Sequence, residues 1–374
     1  MNIPFRRKVL YSTVVLIAGL LLCEAALRVR AMIRYGNPVV SVRDSMTTYD
    51  PALDLFVGTP GYEVRSEKMN VRINSAGFRG DEIAREKPAN TIRIAVLGAS
   101  TTFNAEVSGN HATWPHRLQE KLRSAHRDVN VEVINASLGG YVAADNLKNL
   151  RHRVLPFQPD LVVYYEANNE IVQDTRELAL SKGLIDSRGR SPIITTLSTY
   201  SMMFNLAYLN LTILVQGAWA AKGKLDNVPA DLPRHFVGVI DQMRAELAGP
   251  DVPLMLSTFI VKYRRNQDRA TQIANADVAF YYMPWMSIDG LLSAMDVYNQ
   301  ALMDYGSRHG LHVVDDRESI PPDADHFTDC MHLADRGAEA MAERFYRYFE
   351  AHDILEWLTK RQQTSASRAS SPIG

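Results

Sequence analysis

The stretch Thr91-Ile-Arg-Ile-Ala-Val-Leu-Gly-Ala-Ser-Thr-Thr102 decides the fold of this chain. Its first half alternates and is rich in β-branched residues, which predicts a strand that stops at Gly98. A helical pattern begins after Ala112, so the order is strand, glycine turn, serine and helix. Such a turn exposes the hydroxyl of Ser100 at the C-terminal edge of a sheet, where open α/β sheets bind their ligands.

A serine hydroxyl is a weak nucleophile until a base removes its proton. A candidate base and an orienting acid occur near the other end of the chain, in Thr328-Asp-Cys-Met-His-Leu333. Asp329 and His332 are three residues apart there, so one loop can carry both. Gly-x-Ser-Thr after a strand is also typical of a phosphate-binding turn or a plain helix cap. The serine motif alone leaves these interpretations open.

The composition is that of a globular protein. The chain has 374 residues, of which 46% are hydrophobic and 22% charged, and its formal net charge is -1. This length suits one large domain or two modest ones. The mixed charges give no electrostatic reason to expect a nucleic-acid partner. Cys23 and Cys330 lie in different kinds of segment, so we expect no disulfide.

The N-terminus carries an apolar run behind a basic flank. Residues 9–23 are uncharged and follow Arg6-Arg-Lys8; counted through Leu27, with Glu24 interrupting, the run has 19 residues. That is about the length that crosses a bilayer. An uncleaved anchor fits this length better than a cleaved signal peptide, or a lipoprotein site, which needs a small residue before its cysteine. The basic flank predicts a cytoplasmic N-terminus and an exported body.

Four further strands follow the Ser100 turn and alternate with helices. We predict the strands over 131–134, 161–165, 253–261 and 311–314, and the helices over 114–122, 143–155, 237–247, 291–308 and 333–349. This alternation predicts an α/β fold with a doubly wound five-stranded parallel sheet flanked by helices.

The chain divides into four parts. We assign a signal anchor to 1–30, a connector packing on the main domain to 31–90, the main domain to 91–352 with an insertion over 171–235, and a largely disordered C-terminal tail to 353–374. Asn74 and Gly77 predict a turn in the connector. We expect Arg79 beyond this turn to be solvated or salt-bridged, and a role in ligand binding is the alternative.

Residues 191–221 contain no charged side chain and do not fit the alternation. Their length would allow a second membrane span, but the Thr, Ser, Asn and Gln scattered through them argue against one. We expect a buried insertion helix. The alternative is an apolar lid near the site that binds an acyl chain or lies against the membrane.

Four loops line up in the order of a known superfamily. Gly98-Ala-Ser-Thr101 resembles the first block of the SGNH, or GDSL-like, hydrolases, and Asn135-Ala-Ser-Leu-Gly-Gly140 resembles the second. Ala167-Asn-Asn-Glu170 is similar to the third block, and Asp329-Cys-Met-His332 to the fifth. The resemblance covers roughly residues 91–350, and the segment 74–79 resembles the lead-in of some membrane-anchored bacterial members.

The resemblance implies a flavodoxin-like SGNH hydrolase fold and a serine esterase that needs no cofactor and no metal. It implies a membrane-anchored, exported enzyme that cleaves carboxylic O-acyl esters of cell-envelope carbohydrate or lipid through an acyl-enzyme. By the residues that match, it implies a catalytic triad of Ser100, His332 and Asp329. An oxyanion hole then comes from the backbone N–H groups of Ser100 and Gly140 and the side chain of Asn169, with Asn168 as the alternative.

Other functions stay open at this stage. The same triad would serve an O-acyltransferase, and the scaffold could be a non-catalytic polysaccharide-binding module. A metal enzyme is a further hypothesis, because one segment holds Asp323, Asp325, His326, Asp329 and His332. A thiol nucleophile at Cys330 would be awkwardly placed between the acid and the base. The expected partners are an ester substrate and a membrane.

Overall fold

A computed structural model describes residues 4–35, 46–66, 69–185, 192–219 and 223–370 of the chain. These ranges form two antiparallel hairpins and one five-stranded sheet. The strands are β1 Thr47–Asp50, β2 Leu55–Gly58, β3 Glu63–Arg65, β4 Asn70–Arg72, β5 Thr91–Gly98, β6 Asn130–Asn135, β7 Leu161–Tyr165, β8 Leu254–Ser257 and β9 His312–Val314.

Helices flank the central sheet. In chain order they are α1 Phe5–Tyr35, α2 Ser100–Phe103, α3 Trp114–Ala125, α4 Ala143–Asn149, α5 Asn168–Ser181, α6 Pro192–Tyr200, α7 Met202–Trp219, α8 Arg234–Ala248, α9 Arg269–Asn275, α10 Asp277–Tyr282, α11 Ile288–His309, α12 Asp335–Ala351 and α13 Ile354–Ser370.

The central sheet has the strand order β6-β5-β7-β8-β9, and all of its pairs are parallel. The predicted doubly wound five-stranded parallel sheet flanked by helices is thereby confirmed. Every residue of β5 is buried, as expected for a strand whose sheet is covered on both faces. The register with β7 pairs Gly98 with Tyr165. The loops after these two strands therefore leave the sheet at the same edge.

Some predicted elements are longer than the real ones. The helix predicted over 143–155 is regular only to Asn149 and continues as a π turn, Leu150–Val154, and a 3-10 turn, Leu155–Phe157. β8 ends at Ser257, although the apolar run continues to residue 261. The side chains beyond it stay buried in a loop, so burial there does not require a strand.

The segment between the N-terminal helix and β5 forms two hairpins. β1 pairs with β2 and β3 pairs with β4, both antiparallel. Their apolar side chains build a small second core with residues of the main domain. That core comprises Met46, Leu55, Val64, Val71 and Ile73 from the N-terminal segment, and Ala99, Phe103, Leu138 and Tyr141 from the loops around Ser100. The hairpins therefore pack against the loop edge of the sheet.

The most apolar part of the N-terminal helix is not covered by the rest of the protein. Its stretch Phe5–Arg34 has a mean hydropathy of 2.1 in its most apolar window, none of which is buried. Large apolar side chains such as Leu16 and Leu21 are more than 60% exposed. This helix is long and apolar enough to be a membrane anchor or a signal sequence.

The uncharged segment 191–221 lies within the insertion, and its described residues form α6 and α7. The prediction that this segment is buried is wrong for several of its side chains. Ile193, Leu197, Leu206 and Leu211 are all exposed. The insertion lies against α1 rather than inside the main core. Residues 191 and 220–221 of the predicted segment lie outside the described residues.

The C-terminal tail differs from the prediction of disorder. Residues 354–370 form α13, and Ile354, Leu355 and Leu358 at its start are buried. Gln362 donates to the carbonyl oxygen of Thr91 at 3.0 Å. The polar, Ser-rich end of the segment dominated its composition, whereas the apolar residues of the first turns dock the helix on the core. Residues 371–374 lie outside the described residues.

Candidate active site

Ser100 is separated from the end of β5 by Ala99 and is the first residue of the short helix α2. The turn is tight, because a Cβ on Gly98 would lie 2.6 Å from the carbonyl oxygen of Tyr165. Gly98 also donates its backbone N–H to Oδ1 of Asn146 at 3.1 Å. The glycine is therefore required for the close approach of two strands, and the turn holds the partly exposed Ser100 at the edge of the sheet.

His332 and Asp329 reach Ser100 from the loop before α12. His332 Nε2 lies 2.8 Å from Ser100 Oγ, and His332 Nδ1 lies 2.6 Å from Oδ2 of Asp329. The other carboxylate oxygen of Asp329 accepts the backbone N–H groups of Met331 and His332, each at 2.8 Å. Both oxygens of Asp329 are thereby engaged, so the acid is fixed where it orients the imidazole.

The electrostatics of the loop favour a charged imidazole. Burial by itself would lower the pKa of His332, but its hydrogen bond with Asp329 and the negative charges of Glu106, Asp329 and Glu166 outweigh burial and raise the pKa. For Asp329, burial would raise the pKa, yet the bond to His332 and two backbone N–H groups lower it. Asp329 is thus ionised at neutral pH and stabilises a proton on the ring.

Gly140 and Asn169 are brought to the same edge. Gly140 has a φ of 86°, a conformation in which a side chain is strained. Its neighbour Gly139 packs beside the turn that carries Ser100, because a Cβ there would lie 3.9 Å from the Cβ of Ser100. Asn169 Nδ2 donates to the carbonyl oxygen of Tyr141 at 2.8 Å. This bond ties the first turn of α5 to the loop after β6.

This order of loops, with a serine, a histidine and an aspartate in hydrogen-bond contact, is matched by a sequence family. The model of the GDSL-like lipase/acylhydrolase family matches residues 96–340, which is more than half of the chain. The chain belongs to this family. It is therefore an ester-hydrolysing enzyme, and the family resemblance predicted from the four loops is confirmed.

Solved structures similar to this acylhydrolase include a lipase/acylhydrolase from Enterococcus faecalis, with 17% identity and a TM-score of 0.41, covering 70% of this chain and 96% of that chain. An acetylxylan esterase from Geobacillus stearothermophilus is 14% identical, with a TM-score of 0.42, and the match covers 69% of this chain and 93% of that chain. No curated protein matches the sequence.

Two residues support the turn that carries Ser100, and the sequence analysis assigned this role to neither of them. Asn104 ends α2 with a φ of 61°, and its Nδ2 donates to the carbonyl oxygen of Leu333 at 3.0 Å. Arg79 is buried and donates to the carbonyl oxygens of Phe103 and Asn104 at 2.6 and 2.5 Å. The available sequence signal was an asparagine four residues after the serine, because asparagine adopts the left-handed conformation more readily than most residues.

The prediction of a solvated or salt-bridged Arg79 is wrong. The residue is 3% exposed, and its guanidinium donates to backbone carbonyl oxygens and to the side-chain oxygen of Asn110. Burial lowers the pKa of Arg79 to about 9. The guanidinium lies over the ring of Phe103, 5.2 Å from its centroid. Arg79 thus fastens the N-terminal hairpins to the turn that carries Ser100.

Two buried carboxyl groups lie at the end of β7. Glu166 accepts the backbone N–H of Asn169 at 2.8 Å, and burial raises its pKa to about 7. Glu170 accepts the backbone N–H of Ala143, and burial together with the charge of Glu166 raises its pKa well above the usual range. Asn168 between them is also buried, and its Oδ1 has no hydrogen-bond partner in the described ranges.

Cys330 does not have the environment of a reactive thiol. The residue is fully buried, and burial, aided by the charge of Asp329, raises the pKa of its thiol far above the usual range. A thiolate is the reactive form of cysteine, so this site favours Ser100 as the nucleophile. Both Cys23 and Cys330 are free cysteines.

The acidic residues and histidines of the segment 323–332, which were candidate metal ligands, bond to protein side chains instead. His326 Nδ1 lies 2.7 Å from Asp323 Oδ1, and Asp325 forms an ion pair with Arg336 at 2.6 Å. Across the described ranges, the group with ligand atoms near enough for a metal ion is Asp81, His111 and His116. Asp81 is the one carboxylate of this group, and its negative charge is neutralised by an ion pair with Arg72.

Proposed function

We propose that the protein is a membrane-anchored serine esterase that cleaves carboxylic O-acyl esters through an acyl-enzyme on Ser100. The observation that carries the proposal is the unbroken chain of hydrogen bonds from Ser100 Oγ to His332 Nε2, at 2.8 Å, and from His332 Nδ1 to Asp329, at 2.6 Å. A nucleophile, its base and an orienting acid in this contact are the working parts of acyl transfer to serine.

In the first half of the reaction, Ser100 Oγ attacks the ester carbonyl carbon while His332 Nε2 takes the hydroxyl proton. Asp329 holds the proton of Nδ1 and stabilises the imidazolium that forms. The tetrahedral intermediate then collapses: the C–O bond to the alcohol breaks, and His332 returns the proton to the departing oxygen. The acyl group stays on Ser100 as an ester.

The negative charge on the carbonyl oxygen needs donors in the tetrahedral intermediate. We assign that role to the backbone N–H groups of Ser100 and Gly140 and to the side-chain amide of Asn169. The bond from Asn169 to Tyr141 supports this assignment because it holds the amide beside the Gly140 loop. One such donor is worth about 2.7–4 kcal/mol of the activation barrier in comparable enzymes.

Hydrolysis of the acyl-enzyme completes the cycle. Water now replaces Ser100 as the nucleophile, and Ser100 Oγ is the leaving group. His332 takes a proton from water, the hydroxide oxygen bonds to the acyl carbon, and the Ser100 ester bond breaks with return of the proton to Oγ. An alcohol in place of water would make the protein an O-acyltransferase. We favour hydrolysis, in keeping with the family, and analysis of acyl products with and without a sugar acceptor separates the two.

We further propose that α1 is an uncleaved anchor and that the domain over 91–352 acts on the exported side of the membrane. The basic residues before the apolar run support this orientation. Glu24, inside the helix, supports retention of α1, because its carboxylate is bonded to residues of the insertion. Cell-envelope carbohydrate or lipid carrying O-acyl groups is the substrate class within reach of such an enzyme.

The direct test of the chemistry is covalent labelling with a fluorophosphonate, located by peptide mass mapping of the full-length protein in detergent. We expect the label on Ser100, and we expect Ser100→Ala and His332→Ala to abolish it. The Cys330→Ala variant, which should keep the label, is the matched control for the loop. A folded wild-type protein that takes up no label would contradict the proposal.

A further inference from the structure

The insertion formed by α6 and α7 presents apolar side chains to its surroundings. Ile193 is 71% exposed, Leu211 59%, Leu197 44% and Leu206 41%. Residues 191–221 contain no charged side chain that would keep such a surface soluble. Several exposed apolar side chains on one uncharged segment mark a place where a protein meets a partner or a membrane.

Glu24 of the N-terminal helix caps the start of α7. One carboxylate oxygen accepts the backbone N–H of Met202 and the other that of Met203, each at 3.0 Å. Ser201 Oγ donates to the same carboxylate at 3.0 Å. The first N–H groups of a helix have no partner within the helix, and a negative charge at that end is also favoured by the helix dipole.

Arg28, one turn further along α1, binds the end of α6. Its Nη2 donates to the carbonyl oxygen of Tyr200 at 2.9 Å, and its Nε donates to Glu24 at 2.9 Å. A cation at the C-terminus of one helix and an anion at the N-terminus of the next match both helix dipoles. The junction between α6 and α7 is therefore hydrogen-bonded to both members of the Glu24–Arg28 ion pair of α1.

Glu24 is the only charged residue between Lys8 and Arg28. A carboxylate beside lipid is costly unless it is paired and hydrogen-bonded. Within the described part of the chain, the Glu24 carboxylate has four donors, three of which belong to residues 201–203. The charge in the apolar run is thus explained by its contact with α7.

We infer that α6 and α7 lie against the hydrocarbon of the bilayer that holds α1, and that the three helices form one membrane-bound unit. The occupant of the exposed apolar face is lipid acyl chain, because the face is uncharged and continuous with α1, whose apolar side chains are also exposed. This inference rests on the proposed anchoring of α1 and is independent of the proposed chemistry at Ser100.

Spin labelling of the full-length protein in phosphatidylcholine vesicles tests the inference. Single cysteines at Leu206 and Leu211, in a background that carries both Cys23→Ala and Cys330→Ala, hold a nitroxide, and its relaxation by oxygen is compared with its relaxation by a water-soluble nickel chelate. Leu16 in α1 serves as the reference for lipid. Ile273 in α9, an exposed apolar side chain of the globular domain, serves as the reference for water.

We expect the ratio of oxygen to nickel relaxation at Leu206 and Leu211 to match that at Leu16 and to exceed that at Ile273 severalfold. If the ratio at both Leu206 and Leu211 equals that at Ile273 while the ratio at Leu16 indicates lipid, the inference is wrong, but the proposal that α1 is an anchor is supported. If Leu16 also reports water, the proposed anchoring fails and the inference fails with it.

The role of Glu24 is tested by hydrogen exchange in the same vesicles. Glu24→Ala should accelerate exchange of the amides of Met202 and Met203, because it removes their acceptors, and should lower the oxygen-to-nickel ratio at Leu206. Ser12→Ala, an exposed polar residue of the same helix, is the control and should change neither. Unchanged exchange in Glu24→Ala would overturn the connection between α1 and α7.

Discussion

Asn104 donates a hydrogen bond from Nδ2 to the carbonyl oxygen of Leu333, at 3.0 Å, and so joins the turn after Ser100 to the loop of His332. Both residues are buried. The two loops are more than 200 residues apart in the sequence. This one bond therefore helps to set the distance between the hydroxyl of Ser100 and the imidazole of His332.

We expect Asn104→Gly to lower kcat about ten- to a hundredfold with little change in KM, because small displacements of reacting groups have effects of this size. Glycine keeps the left-handed backbone and removes only the side-chain bond. Asn104→Ala should lose as much activity and, in addition, about 1–2 kcal/mol of stability from backbone strain. Steady-state kinetics and urea unfolding measure the two effects. Wild-type kcat in the glycine variant would refute the positioning role.

We expect Asn169→Ala to lower kcat about a hundredfold or more, with a modest change in KM, because the lost donor acts on charge that develops during the reaction. Asn168→Ala is the matched comparison, since Asn168 neighbours it but is buried, and its side-chain oxygen has no hydrogen-bond partner among the residues that the structure describes. Kinetics with a soluble aryl ester measure both. The reverse ranking of the two variants would transfer the oxyanion role to Asn168.

The rate should fall as the pH decreases through the pKa of His332, because only the neutral imidazole can accept the proton of Ser100. This pKa is raised, so the midpoint of kcat/KM should lie above 6.5. Glu106 contributes to the shift through its charge. Glu106→Gln should therefore move the midpoint to lower pH and leave the rate at high pH unchanged. A midpoint that does not move would exclude this charge as a cause.

Glu166 should make the folded protein less stable as the pH rises. Its folded pKa is about 7 instead of 4.5, so between these values the folded state keeps a proton that the unfolded chain releases. Between pH 5 and pH 8, Glu166→Gln should gain roughly 2–3 kcal/mol of stability relative to the wild type. Urea unfolding at both pH values measures this gain.

Glu177→Gln is the control for that comparison, because Glu177 is an exposed carboxyl of the following helix. It should show no gain between the two pH values. Parallel pH profiles of the wild type and Glu166→Gln would mean that Glu166 ionises normally in the folded protein.

Much of the fold could be predicted because it depends on neighbouring residues. The β-branched run that ends at Gly98, and the apolar periodicity of the helices, define the alternation that yields a parallel sheet. Element boundaries were less accurate, as at β8, because a buried loop and a buried strand have the same composition. The C-terminal segment was predicted to be disordered because its end is polar, although the apolar residues at the start of α13 pack on the core.

The sequence by itself determined the order of strands and helices, the glycine turn before Ser100 and the Asp329-x-x-His332 loop, because each depends on residues close together in the chain. Only the tertiary structure decided the contact of Asn104 with Leu333, the cap that Glu24 forms on α7 and the burial of Glu166. These depend on how distant elements pack against one another, and no local pattern of residues encodes that.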